Sequence, residues 1–145
     1  MKKLLSLVLV LVMICGLAVT AQAANISVSA NASKINVGDE VIVTIKLEQD
    51  IPESEGATML QGDLKYDGSV LEFKEIMEKS SQLSNAAKHK TQDKVLFNYL
   101  SMDNSAKGFT AGTLVKIKFK AKADLASNHV NSAMTFTAYV QNAQG

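Results

Sequence analysis

Two histidines, fourteen carboxylates and a single cysteine are the side chains with which this 145-residue chain could do chemistry. Their spacing makes a poor case for catalysis. His89 lies between Lys88 and Lys90, and His129 follows Asn128. Neither has a Ser, Asp or Glu at the spacing of a nucleophile and its base, so both are expected to be surface histidines. The sequence has no Gly-x-Ser-x-Gly elbow, no His-Glu-x-x-His pair and no glycine loop of the phosphate-cradling kind. Asp50, Glu53 and Glu55 crowd a polar loop around the sole proline, Pro52, without the regular spacing or central glycine of a calcium loop. That loop is expected to be solvated, and no cofactor or metal is expected. A carboxylate pair for glycoside hydrolysis is defined by distance in space, which sequence does not give. The chain has no Trp, however, and sugar-cleaving clefts normally carry aromatic subsites. The residues therefore point to a binding module and not to an enzyme.

Recognition is the chemistry that remains. Side chains in a strand alternate between faces. In 59–66 this places Met59, Gln61, Asp63 and Lys65 on one face and Leu60, Gly62, Leu64 and Tyr66 on the other. In 95–102 it sets Leu96, Asn98, Leu100 and Met102 against Val95, Phe97, Tyr99 and Ser101. Leu and Met flanked by Asn, Gln and Asp match an interface, with an apolar centre and polar groups that fix register. A covering loop or second subunit would also account for them. The candidate partner-binding residues are Met59, Gln61, Asp63, Asn98, Leu100 and Met102, with Asp103 in the exit loop that follows.

The elements that must hold these residues are strands. Residues 26–31 alternate, and Val41, Val43, Ile45 and Leu47 alternate with Ile42, Thr44, Lys46 and Glu48 across the turn 36–39. Asp67-Gly68-Ser69 is turn chemistry, Asp bonding its own backbone and Gly accepting φ > 0, after which Leu71 and Phe73 return to the core. Residues 75–92 are weakly patterned; 80–87 could be an edge strand or a short helix, and the strand is preferred. Thr113, Val115, Ile117, Phe119 and Ala121 face inward, opposite Leu114, Lys116, Lys118 and Lys120. That lysine stripe is expected to be a solvated face that discourages edge pairing. Met134, Phe136, Ala138 and Val140 form the inward side of a last strand. Short alternating strands with turns between them, and no long amphipathic pattern, predict an all-β fold, an antiparallel β-sandwich.

Residues 1–23 stand apart. Lys2 and Lys3, the apolar run from Leu4 to Val19 and the small-x-small Ala21-Gln22-Ala23 predict a secretory signal cleaved before Ala24, leaving one domain over 24–145. The run is short for a membrane span, which needs about 20 apolar residues, so no membrane association is expected after cleavage. Cys15 belongs to the run, and the mature chain has no thiol to form a disulfide or bind metal. There is no Arg, and net charge is +1, which argues against nucleic acid.

Val37-Gly38-Asp39-Glu40-Val41, Gly62-Asp63-Leu64-Lys65-Tyr66-Asp67-Gly68-Ser69-Val70-Leu71-Glu72-Phe73 and Gly112 to Ala121 together resemble the cohesin domain. Cohesins are secreted bacterial modules that hold dockerin-bearing enzymes in cellulosomes for polysaccharide degradation. The resemblance covers most of 26–140 and implies a nine-stranded sandwich of jelly-roll topology. It also implies a dockerin-type partner lying across the sheet that holds the third, fifth, sixth and eighth strands. Carried over, the outward positions are Met59, Gln61 and Asp63 on the third strand and Asn98, Leu100 and Met102 on the sixth. Two departures accompany it. Met59 and Gln61 stand where the family has the Asn and Asp that bond the dockerin's Ser/Thr pair. The family has one more strand after a segment like Met134–Gln141, so either the domain is truncated, lacking its final strand, or its first strand has an open edge. A carbohydrate-binding or cell-surface adhesion sandwich is the alternative; the aromatic row it needs is not seen, since Tyr99 points inward and Tyr139 is isolated. The expected location is extracellular, including the bacterial cell surface.

Overall fold

The computed structural model describes residues 26–32, 34–103, 105–125 and 133–142. The predicted leader, His129 and residues 143–145 lie outside them. Eight strands follow in order: β1 (Ile26–Ala30), β2 (Glu40–Leu47), β3 (Ala57–Tyr66), β4 (Leu71–Lys79), β5 (Asn85–Lys88), β6 (Lys94–Leu100), β7 (Gly112–Ala121) and β8 (Met134–Asn142). They form two antiparallel four-stranded sheets, β1-β2-β7-β4 and β5-β6-β3-β8. Only β1–β2 and β5–β6 are hairpins within a sheet. Every other connection crosses to the opposite sheet, as in a jelly roll, and the predicted fold class is the one observed.

The inward faces meet in one core. Val41, Val43, Ile45 and Leu47 from β2 and Val115, Ile117 and Phe119 from β7 are fully buried against Leu60 and Leu64 of β3 and Val95 and Phe97 of β6. Each such aliphatic side chain contributes about 1.5–3 kcal/mol of transfer free energy. Phe119 ties the sheets together: Tyr66 packs edge-on at 4.9 Å and Phe73 at 6.2 Å between centroids. These two aromatics flank the 67–70 corner, so the corner and the core are one construction.

Three expectations are corrected. Gly68 does not take a positive φ; among the described residues Gly38 and Gly112 do. A Cβ at position 68 would lie 2.1 Å from an oxygen of the exposed Asp93 side chain, which is free to swing away. The Asp67 part of the corner is as expected: its Oδ1 accepts the Ser69 N–H at 2.8 Å and the Ser69 hydroxyl at 2.6 Å, and these bonds hold its carboxyl below the usual range. The lysine stripe of β7 does not guard an edge, because β7 pairs with β2 on one side and β4 on the other. Its lysines meet acids instead, Lys116 to Glu78 at 3.1 Å and Lys118 to Glu75 at 2.7 Å. Finally, β6 ends at Leu100, so Met102 belongs to a bend and not to the strand.

Candidate docking surface

The outer face of the β5-β6-β3-β8 sheet brings most of the candidate residues together. Register places Met59 opposite Leu100, Gln61 opposite Asn98, Asp63 opposite Leu96 and Lys65 opposite Lys94. On the other side of β3, Gln141 faces Met59, Tyr139 faces Gln61, Thr137 faces Asp63 and Thr135 faces Lys65. On the far side of β6, Asn85 faces Asn98 and Ala87 faces Leu96. The centre of this face is thus a row of hydrogen-bonding side chains, Asn85, Asn98, Gln61 and Tyr139. One step along the strands lies an apolar pair, Met59 and Leu100.

Gly62 on β3 keeps this surface flat by what lies beneath it. A Cβ there would come within 2.2 Å of the Phe97 ring, which stacks on Phe136 at 6.0 Å. The Phe97 ring therefore occupies the space under β3, and the backbone of β3 sits directly on it. Leu100 is left 53% exposed and Tyr139 44% exposed. Asp63 is half-buried: Lys94 Nζ stands 3.6 Å from one carboxylate oxygen, and the other is buried with no hydrogen-bond partner.

Met102 and Asp103 lie beyond the end of β6 and of its pairing with β3. Met102 is 93% exposed in the bend after β6. The Asp103 carboxylate is turned back into its own loop, accepting the Ser101 hydroxyl at 2.8 Å, the Ser105 N–H at 3.0 Å and the Ser105 hydroxyl at 2.6 Å. These bonds, the Ser105 hydroxyl foremost, lower its pKa to about 2. Asp103 therefore braces the segment that carries Met102. The Ser101 N–H, in turn, donates to the Thr58 carbonyl at 2.9 Å, which anchors the bend to β3.

Two of the residues weighed for metal or acid–base chemistry have structural partners. Asp50 accepts the Ala111 N–H at 2.6 Å, and His89 Nδ1 accepts the Thr91 N–H at 3.3 Å.

The sequence matches the cohesin domain over residues 25–145. The chain belongs to the cohesin domain family. Solved structures with the same fold include the second type II cohesin module from the adaptor scaffoldin of Acetivibrio cellulolyticus, at 14% identity and TM-score 0.55 over 87% of this chain and 83% of that one. A type I cohesin–dockerin complex from Clostridium thermocellum aligns at 16% identity and TM-score 0.54, covering 75% and 76%. A type II cohesin from Bacteroides cellulosolvens aligns at 16% identity and TM-score 0.52, covering 81% and 86%. No curated protein matches the chain.

In this cohesin, sequence reasoning missed the β8 contribution to the face. Tyr139 was set aside as isolated, yet it stands beside Gln61. Its outward direction was available from the same alternation that buries Met134 and Phe136. Its neighbour was not, because the pairing of β8 with β3 sets Tyr139 beside Gln61, 78 positions away in sequence. Asn85 and Ala87 were missed for a different reason: β5 has four residues and no apolar alternation.

Proposed function

We propose that this cohesin domain is a secreted, non-catalytic module that docks a dockerin-type protein on the β5-β6-β3-β8 face. The carrying observation is the contrast between the outer faces of the two sheets. One is dominated by lysine–glutamate pairs, with Met77 of β4 also exposed, whereas the other exposes Leu100 and Tyr139 beside half-buried Met59 and among Asn98, Gln61 and Asn85. Apolar side chains ringed by groups that fix register are what a protein interface needs. Membership of the cohesin family supports the partner class, and a solved relative is a cohesin–dockerin complex. The basic, apolar leader supports secretion, and with it an extracellular role in polysaccharide degradation. No helix among the described residues is long and apolar enough to cross a membrane.

Docking is rigid in this account. Leu100 and Met59 lose water, and Gln61, Asn98 and Asp63 exchange hydrogen bonds with the partner. Met102 adds an apolar contact at the rim from a loop that Asp103 holds in place. Calorimetric titration of the mature chain with purified dockerin-type modules tests this. Leu100→Ala should cost about 1–3 kcal/mol of binding free energy if Leu100 is a central contact, with melting temperature unchanged. Equal affinity of wild type and variant would remove the site assignment. Retention on a polysaccharide gel, with no dockerin-type module bound, would favour the carbohydrate-binding alternative.

A further inference from the structure

The outer lysines of the two sheets are treated differently by the fold. On the β1-β2-β7-β4 sheet, Lys116, Lys118, Lys46 and Lys74 each lie within 3.2 Å of a glutamate oxygen. Lys120 pairs in register with both Glu40 and Glu72. On the proposed docking face, Lys65 and Lys94 stand directly opposite one another, and Thr135 is the neighbour of Lys65 on β8. Like charges directly opposite in an antiparallel pair are destabilising. Their single counter-charge is Asp63, at 3.6 Å from Lys94 only, and Lys65 has no ion pair among the described residues. The His89 N–H donates to the Lys94 carbonyl, so the hairpin bearing exposed Lys88 and Lys90 begins beside this row. The other nearby carboxylate, Asp93, lies against Gly68 at the β3–β4 corner.

We infer that the partner brings a carboxylate-bearing segment to the Lys65–Lys94 end of the face. The footprint is then polarised, with apolar contact at Met59–Leu100 and ion pairing six residues, or three same-face pairs, away along the same two strands. This rests on the dockerin-type reading and specifies the partner's charge. Complementary charge at one end acts on encounter rate and on the direction in which the partner lies along the strands.

The test uses one dockerin-type module with aspartates or glutamates on its docking surface, and the same module with those carboxylates changed to amides. Association with the mature chain is followed by surface plasmon resonance at 50 and 200 mM salt. The wild type should associate about tenfold faster with the acidic module than with the amide form at low salt, and the advantage should shrink as salt screens it. Lys65→Glu should abolish that advantage while keeping or raising the melting temperature, since it replaces a like-charge pair by an opposite one. Leu100→Ala should keep the advantage and dissociate faster. Equal rates for both modules on the wild type would overturn the charge assignment and leave docking intact. A melting temperature that falls in step with the lost rate would also overturn it, because Lys65 would then serve the fold. Binding of neither module, with retention of an acidic polysaccharide such as polygalacturonate, would overturn both the docking reading and this one.

Discussion

Gly62 shows how a single missing atom shapes the docking face. The Phe97 ring lies so close under β3 that a methyl group at position 62 would overlap it. Gly62→Ala forces that ring off its stack with Phe136, and overpacking of this kind typically costs 1–3 kcal/mol. Urea unfolding of the variant should show the loss as a lower midpoint with an unchanged slope. An unaltered midpoint would mean that the ring shifts without strain. Asp103 carries a second prediction at this scale. Its pKa of about 2 in the fold lies below the ordinary value of about 3.9. A group depressed on folding contributes stability above its unfolded pKa and loses it as pH falls through the folded one. The brace at Ser101 and Ser105 is therefore intact above about pH 4 and is lost between about pH 4 and pH 2. Asp67, lowered by Ser69, acts in the same direction. Melting curves across that range should fall less steeply for Asp103→Asn than for wild type, and identical pH profiles would show that the brace contributes nothing.

At the scale of elements, what was legible in the sequence was whatever obeyed strict alternation. β2 and β3 bury every second residue, and each was placed within a residue or two of its ends. β4 was read only to Phe73 because two bulges, at Phe73/Glu75 and Ile76/Glu78, break its period. Its inward residues are Leu71, Phe73 and Ile76, a spacing no two-residue template matches. β7 hid a similar feature: the bulge opposite Ile45/Lys46 lets Leu114 be buried as well as Val115. Neighbourhood was not legible at all. Nothing in Lys116-Ile117-Lys118 says whether the strand is central or an edge, since paired lysines and edge-guarding lysines have the same local sequence. The candidate site divides along the same line. Met59, Gln61, Asp63, Asn98 and Leu100 follow from parity and do share one face. Met102 continues the parity of β6 into a bend that no longer keeps it, and Asp103 is expected in the exit loop, where it lies.

For the molecule as a whole, the two sheets have the same architecture inside and opposite characters outside. Among the described residues the fold places most of its ion pairs on β1-β2-β7-β4, and β5-β6-β3-β8 carries the longer Asp63–Lys94 pair beside apolar and amide groups. If the second face docks the partner, the first should be indifferent to it. Lys118→Glu puts a like charge beside Glu75 in place of a 2.7 Å ion pair. It also removes the ammonium that the Glu75 carboxylate holds above its usual range. Exposed pairs are worth little, so the melting temperature should fall slightly and the chain should stay folded. Affinity for a dockerin-type module should remain within about twofold of wild type, against the roughly 5- to 150-fold loss that about 1–3 kcal/mol implies for Leu100→Ala. The two variants measured side by side separate surface from scaffold. If Lys118→Glu loses binding and Leu100→Ala does not, the partner sits on the charged sheet. The exposed Leu100 and Tyr139 would then have to be covered by something other than the partner.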